Sequence, residues 1–211
     1  GVGIDEYFIA SDHLSLLPFT QQFIFLEEGD VAQITAKQVQ IFNEKGKPVE
    51  RKIHLISEQQ DRIDRGTYRH YMQKEIFEQP RAVQDTLEGR LGNTQILEAC
   101  FGHNATAIFD QVKQVQIVAC GTSYHAAMVG RYWLEWLSGI PCQVEIASEM
   151  RYRHQAVQPN TLFVGISQSG ETADTLAAIR VANAKGYLAS LAICNVPESS
   201  LVREANLTLM T

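Results

Sequence analysis

Two different patterns of apolar and polar residues divide the chain, and the change between them falls near residue 60. Within residues 1–60, the stretches 21–35 and 38–56 alternate apolar with polar side chains, and a turn signal occupies 43–47. A two-residue period buries one face of a strand and leaves the other in water, which is typical of antiparallel sheet. We therefore predict a β-rich region over residues 1–60.

The second pattern, which follows residue 69, consists of short and almost uninterrupted apolar runs separated by helical stretches. Such runs indicate parallel strands that are buried on both faces by helices. The runs predicted as strands are 115–119, 143–147, 162–166 and 187–193. The fold class expected for this half is therefore α/β, with a parallel sheet flanked by helices.

Two helical stretches carry more specific expectations. Residues 68–91 are predicted to be helical, with Pro80 as a break between two helices, because proline cannot donate a backbone hydrogen bond. Residues 124–137 form a second predicted helix. Its apolar stripe, which includes Ala126, Val129, Trp133 and Leu137, is expected to pack in the core. The polar, aperiodic segment before the first helix is expected to contain a linker, placed at 61–68.

Composition and charge exclude several classes of function. The chain has 211 residues and a net charge of −6, which argues against a broad basic surface for nucleic acid. No apolar stretch approaches the roughly 20 residues of a membrane-spanning helix. A signal peptide is not expected either, since Asp5 and Glu6 interrupt the first residues. Because the chain starts at Gly1 and stops within a strand-like pattern at 207–211, we expect a fragment of a longer protein.

Cysteine spacing bears on both metals and location. The four cysteines are Cys100, Cys120, Cys142 and Cys194. They are widely separated and include no CxxC pair, so neither a zinc site nor a disulfide scaffold is predicted. Reduced thiols in a cytoplasmic protein are the simpler interpretation. Cys120 follows a strand and could be a nucleophile, but a small buried apolar residue is the preferred interpretation.

Polar turns that contain glycine follow two of the predicted strands, and they are the best candidates for a binding site. The first reads CGTS at 120–123, and the second reads SQSGET at 167–172. In open α/β sheets, ligands bind beyond the carboxyl ends of the strands. Hydroxyls, glycine backbone and the free N–H groups of a following helix together suit a phosphate monoester. The candidate binding residues are Gly121, Thr122, Ser123, Ser167, Gln168, Ser169 and Thr172.

A simpler interpretation of the same residues is helix capping without any ligand. Ser169 or Thr172 as an N-cap would by itself contribute about 0.5–2 kcal/mol. Two such turns at successive strand ends favour a ligand site over capping alone. Neither turn matches GxGxxG or GxxxxGK[ST], so a dinucleotide or nucleoside triphosphate is disfavoured and no cofactor is predicted.

The motifs in series resemble a known family. The stretches 119–133, 140–149, 167–176 and 191–204 closely resemble the first sugar-isomerase (SIS) domain of the glutamine–fructose-6-phosphate aminotransferase family. Residues 8–12 and 23–35 are similar to the tail of that family's N-terminal-nucleophile glutaminase domain, and 69–80 to the opening of its synthase half. The resemblance implies residues 1–60 as the C-terminal part of the glutaminase domain, 61–68 as the linker, and 69–211 as the first SIS domain.

The resemblance also implies an activity for the complete protein. That activity releases ammonia from glutamine and transfers it to fructose 6-phosphate, which yields glucosamine 6-phosphate. By motif, Thr122, Ser167, Gln168, Ser169 and Thr172 would hold the sugar phosphate, with Gly121 and Ser123 as weaker candidates from the same loop.

Catalysis is implied to lie elsewhere in the complete protein. The family's terminal cysteine has no counterpart here, since position 1 is glycine, and its acid–base groups belong to a second SIS domain. No catalytic or metal-binding residue is therefore assigned to this chain. The expected partners are fructose 6-phosphate or glucosamine 6-phosphate and a second copy of the chain, with no nucleic acid or membrane. The alternative is a non-catalytic regulatory protein that senses sugar phosphates.

Overall fold

The computed structural model describes residues 1–10, 13–35, 38–56 and 65–211. They form two compact units, Gly1–Ile76 and Phe77–Thr211, with the boundary inside helix α1 (Tyr71–Leu87). Of the predicted linker 61–68, residues 61–64 lie outside the described residues. Each unit has its own kind of sheet, so the two are described separately.

The first unit is β-rich, as the alternating pattern predicts. Its strands are β1 (Gln22–Ile24), β2 (Val31–Ile34), β3 (Val39–Phe42), β4 (Pro48–Val49) and β5 (Ile53–Leu55). β1 pairs with β5, while β2, β3 and β4 form a second sheet in that order, and all of these pairings are antiparallel. The predicted turn at 43–47 is present, with Asn43 N–H donating to the Lys47 carbonyl at 2.9 Å. A small core of Leu17, Phe23 and Ile56 holds part of this unit together.

The second unit contains one sheet of five parallel strands, in the order β10-β9-β8-β6-β7. The strands are β6 (Gln114–Ala119), β7 (Cys142–Ile146), β8 (Thr161–Ser167), β9 (Ala189–Cys194) and β10 (Leu207–Met210). The remaining helices are α2 (Ala105–Phe109), α3 (Gly121–Ser138), α4 (Ala147–Met150), α5 (Ala173–Ala184) and α6 (Ser200–Glu204), with a 3-10 turn at Glu98–Phe101. The predicted parallel α/β architecture is confirmed, and the predicted strands agree within two residues.

Both faces of this sheet are covered. Alternate residues of β6 point to opposite sides: Ile117 packs in the cluster that contains Ala127 of α3, whereas Val118 packs with Ile179 of α5. Phe163, in the middle of β8, is completely buried. Burial on both faces explains why these strands read as continuous apolar runs. Among residues 1–10, 13–35, 38–56 and 65–211, no helix combines the length and apolar character needed to span a bilayer.

The predicted break at Pro80 is wrong. One continuous helix, α1, contains Pro80 in its interior. Proline there removes one i→i−4 hydrogen bond, at a cost of about 3 kcal/mol in a helix interior. The flanking residues are mostly good helix formers such as Lys, Glu, Gln and Arg, and they continue the helix on both sides of the proline.

The predicted core stripe of α3 is also wrong. Val129, Trp133 and Leu137 are 50%, 62% and 75% exposed, respectively. The sheet is instead covered by a different side of the helix, which places Ala127 in the core and packs Leu134 against it. Because α3 is apolar on more than one side, periodicity alone could not tell which side faces the sheet.

Candidate functional site

The two polar turns singled out in the sequence lie at the ends of adjacent strands. β6 and β8 are neighbours and run in parallel, with Ala119 paired in register with Ile166. Both strands therefore end at the same edge of the sheet, β6 at Ala119 and β8 at Ser167, one residue beyond the Ala119–Ile166 pair. Two elements far apart in sequence are thereby placed side by side at the carboxyl edge, where α/β folds bind ligands.

The first turn is the start of a helix rather than a separate loop, which corrects the predicted helix boundary at residue 124. α3 begins at Gly121, whose φ of +58° lets the chain turn sharply out of β6. The first hydrogen bond across the helix start joins Tyr124 N–H to the Cys120 carbonyl at 3.3 Å. The N–H groups of residues 121–123 precede that bond, so they have no acceptor within the helix. Thr122 is exposed and Ser123 half-buried beside these donors.

The second turn is organised by hydrogen bonds among its own residues. Ser167 is buried, and its hydroxyl accepts a bond from Gly170 N–H at 3.1 Å and lies 3.0 Å from Thr172 Oγ1. Ser169 Oγ accepts from Glu171 N–H at 3.2 Å. Thr172 occupies the N-cap position of α5, but its hydroxyl bonds to Ser167 rather than to an α5 amide. Helix capping is therefore not what these side chains do.

This loop, residues 167–172, is also packed against the segment between β9 and α6. The Gln168 carbonyl accepts from Asn195 N–H at 3.2 Å, and the Gly170 carbonyl accepts from Leu201 N–H at 3.0 Å. A Cβ on Gly170 would lie 2.5 Å from Ser199 Cβ and 2.8 Å from Cys194 Sγ, and closer still to the Ser199 hydroxyl. The glycine thus permits a close approach between two segments, a role that its position in the motif did not reveal.

Two acidic side chains, one in the loop and one just after it, both have hydrogen-bond partners. Glu171 Oε1 accepts a bond from Ser200 N–H at 2.7 Å. Asp174, in the first turn of α5, pairs with Arg151 at 2.7 Å, and the hydrogen bond to Asp174 raises the pKa of Arg151. The sequence motifs did not point to either residue. Their position could have revealed them, because both are carboxylates at the helix start that is proposed to hold an anion.

The arrangement is chemically suited to an anion without any metal. Backbone N–H groups, the hydroxyls of Thr122 and Ser169, and the exposed amide of Gln168 are hydrogen-bond donors near two helix starts. Cys120 is half-buried and packs against the core cluster that contains Val118. Within the described part of the chain, no group of three or more His, Cys, Asp or Glu side chains is placed to hold a metal ion.

Comparison with known proteins identifies the fold first. Residues 108–211 match the model of the SIS domain family, and the whole five-stranded sheet lies within that match. This part of the chain is therefore a SIS domain. A solved structure of the C-terminal domain of glucosamine-fructose-6-phosphate aminotransferase from Francisella tularensis superposes with a TM-score of 0.67 at 50% identity, covering 70% of this chain and 42% of that one.

Relatives of the whole chain are more specific. Over all 211 residues it is 62% identical to glutamine–fructose-6-phosphate aminotransferase (isomerizing) from Pseudomonas syringae pv. tomato, and 57% identical to that from Escherichia coli. It spans 34% and 35% of their respective lengths. The chain corresponds to a segment of the glutamine–fructose-6-phosphate aminotransferases, about a third of their length. The resemblance seen in the sequence motifs is confirmed.

Proposed function

We propose that the chain is the sugar-phosphate-binding segment of an amidotransferase that converts fructose 6-phosphate and glutamine into glucosamine 6-phosphate and glutamate. The observation that carries the proposal is the pair of turns, 121–123 and 167–172, at adjacent strand ends of a SIS sheet. Its support is the identity to aminotransferases over the full 211 residues.

The proposed binding mode uses donors rather than positive charge. The N–H groups of residues 121–123, the Thr122 hydroxyl and the Ser169 hydroxyl would hold the phosphate, because each can donate to a phosphate oxygen. Ser167 and Thr172, which bond to each other, would set the shape of the second turn. Gln168 is exposed and would contact a sugar hydroxyl. A site of this kind fits a chain with a net charge of −6.

In this proposal, catalysis belongs to parts of the complete protein other than this segment. The family resemblance places the glutaminase nucleophile at a terminal cysteine and the isomerase acid–base groups in a second SIS domain. Residues 1–60 would be the C-terminal part of the glutaminase domain, and 69–211 the first SIS domain with its leading helices. The chain alone is therefore expected to bind fructose 6-phosphate without converting it.

The regulatory alternative, a non-catalytic sensor of sugar phosphates, is not favoured. The aminotransferase relatives match through residues 1–107 as well as through the SIS domain. A sensor would be expected to carry a different module there, such as one that binds DNA. The β-rich first unit instead belongs to the part shared with the aminotransferases.

Pairing with a second copy through the SIS domain is part of the proposal. One side of α3 exposes Val129, Tyr132, Trp133, Trp136 and Leu137. Large contiguous apolar surfaces of this kind are uncommon on monomers and mark interaction sites. A cytoplasmic location fits the four cysteines, which are all free thiols.

The binding proposal is tested by titrating fructose 6-phosphate into the chain by calorimetry, with free fructose as the matched ligand control. We expect saturable binding of the phosphate ester only. A Ser169→Ala, Thr172→Ala double variant should bind at least tenfold more weakly, since a hydrogen bond to a charged group contributes about 1.5–3 kcal/mol. A Thr86→Ala variant, which alters a hydroxyl of α1 bonded to Ala82, should bind like the wild type. Equal binding of the ester and free fructose would overturn the proposal.

A further inference from the structure

We infer that Glu171 is a positioning residue, which fixes the proposed phosphate loop, residues 167–172, by joining it to the start of α6. The inference rests on the proposed function, because it concerns how that site keeps its shape. Glu171 is the only acidic residue in the loop. Its carboxylate oxygen accepts a hydrogen bond from Ser200 N–H at 2.7 Å, across 29 positions of sequence.

Helix α6 needs a partner of this kind. It has five residues, from Ser200 to Glu204, too few to be stable on its own. Ser199 occupies the N-cap position, but its hydroxyl lies 3.5 Å from Cys194 Sγ instead of capping the helix. Glu171 supplies an acceptor for one of the free N–H groups at the start of this helix. A carboxylate is favoured at that position, because the amino end of a helix carries partial positive charge.

The loop keeps its shape through the same bond. Binding to Ser200 N–H holds the Glu171 side chain in one place. The backbone consequence is equally direct: Glu171 N–H donates to Ser169 Oγ at 3.2 Å, so moving Glu171 would move a proposed phosphate donor.

Two backbone hydrogen bonds join the same pair of segments, and Glu171 adds a side-chain bond between them. Leu201 N–H donates to the Gly170 carbonyl at 3.0 Å, and Asn195 N–H donates to the Gln168 carbonyl at 3.2 Å. Mutation cannot remove those bonds without altering the backbone. Glu171 can be changed while both remain, which makes the inference testable.

The test compares Glu171→Ala with Glu171→Gln in the 211-residue chain. Glu171→Ala should weaken fructose 6-phosphate binding by about tenfold or more in calorimetry, because losing this bond lowers the share of molecules whose loop has the shape that binds. It should also accelerate amide hydrogen exchange at Ser200 and Leu201, measured by NMR without ligand.

Glu171→Gln keeps an acceptor oxygen of the same reach, so both its affinity, within about threefold, and its exchange should stay near wild type.

The matched control is Glu204→Ala. Glu204 joins α6 to α5 through Arg180, at 2.7 and 2.8 Å, without contacting the loop, so its loss should leave the affinity unchanged. The inference is overturned if Glu171→Ala binds like the wild type, or if Glu204→Ala weakens binding equally. If Glu171→Ala fails to fold, Glu171→Asp replaces it, since the shorter side chain cannot reach Ser200. Absence of binding by the wild type would contradict the proposed function, whereas unchanged exchange in Glu171→Ala would contradict the inference alone.

Discussion

The two turns of the proposed site both combine a glycine with hydroxyl side chains, but they are held in different ways. The first, residues 120–123, is shaped by the start of one helix, and a Cβ added at Gly121 meets no heavy atom within 4 Å among the described residues. The second, residues 167–172, is locked against the segment that contains Cys194 and Ser199. The comparison shows that one half of the site is determined locally and the other by tertiary packing.

The difference has a consequence for mutations. In the second turn, changes should affect stability and binding together, because the same groups do both. In the first turn, side-chain changes should affect binding with little effect on stability. Each prediction below measures where one residue falls between these two behaviours.

The largest effect is expected for Gly170→Ala. Alanine at the φ of +69° costs about 1–2 kcal/mol, and the clash with Ser199 and Cys194 should add about 1–3 kcal/mol. Urea unfolding should therefore show a loss of about 2–5 kcal/mol, together with loss of fructose 6-phosphate binding.

The matched control for that variant is Gly121→Ala, which has a similar φ of +58° but open space around the added methyl group. It should lose only the backbone term. Adding Ser199→Gly to Gly170→Ala removes the two closest clashing atoms and should restore part of the stability. Equal losses for the two single alanine variants would show that packing against Ser199 does not distinguish the turns.

Sequence patterns predicted the sheet well because a strand that is buried on both faces is apolar at almost every position. The strands around Val118 and Phe163 are continuous apolar runs for that reason. The pattern also placed both turns correctly at strand ends, since parallel strands share a carboxyl edge. The predicted break at Pro80 is wrong because the helix formers on both sides of the proline continue the helix through it.

The remaining features depend on tertiary contacts that no local pattern encodes. The orientation of Trp133 could not be predicted, because α3 is apolar on more than one side. The partners of Glu171 and Asp174 lie 29 and 23 positions away, at Ser200 and Arg151. Whether the seven predicted site residues bind a sugar phosphate stays a prediction, which the titration addresses.

An intermediate effect is expected for Ser167→Ala. The buried hydroxyl accepts from Gly170 N–H and bonds to Thr172, so its removal leaves a buried donor without its partner. The unfolding free energy should fall by about 1–3 kcal/mol. Calorimetry should show weaker fructose 6-phosphate binding in the same variant. If stability were unchanged, the hydrogen bonds within the second turn would not be what holds its shape.

The smallest effect on stability is expected for Thr122→Ala, in the first turn. Thr122 is exposed on the first turn of α3, and alanine has the higher helix propensity, so the unfolding free energy should change by no more than about 0.5 kcal/mol. Fructose 6-phosphate binding should nevertheless weaken about tenfold, because a hydroxyl that donates to a phosphate is removed. The two measurements, on one sample, would then separate binding from stability in a way that Ser167→Ala cannot. A stability loss as large as that of Ser167→Ala would mean that both turns are held by tertiary contacts.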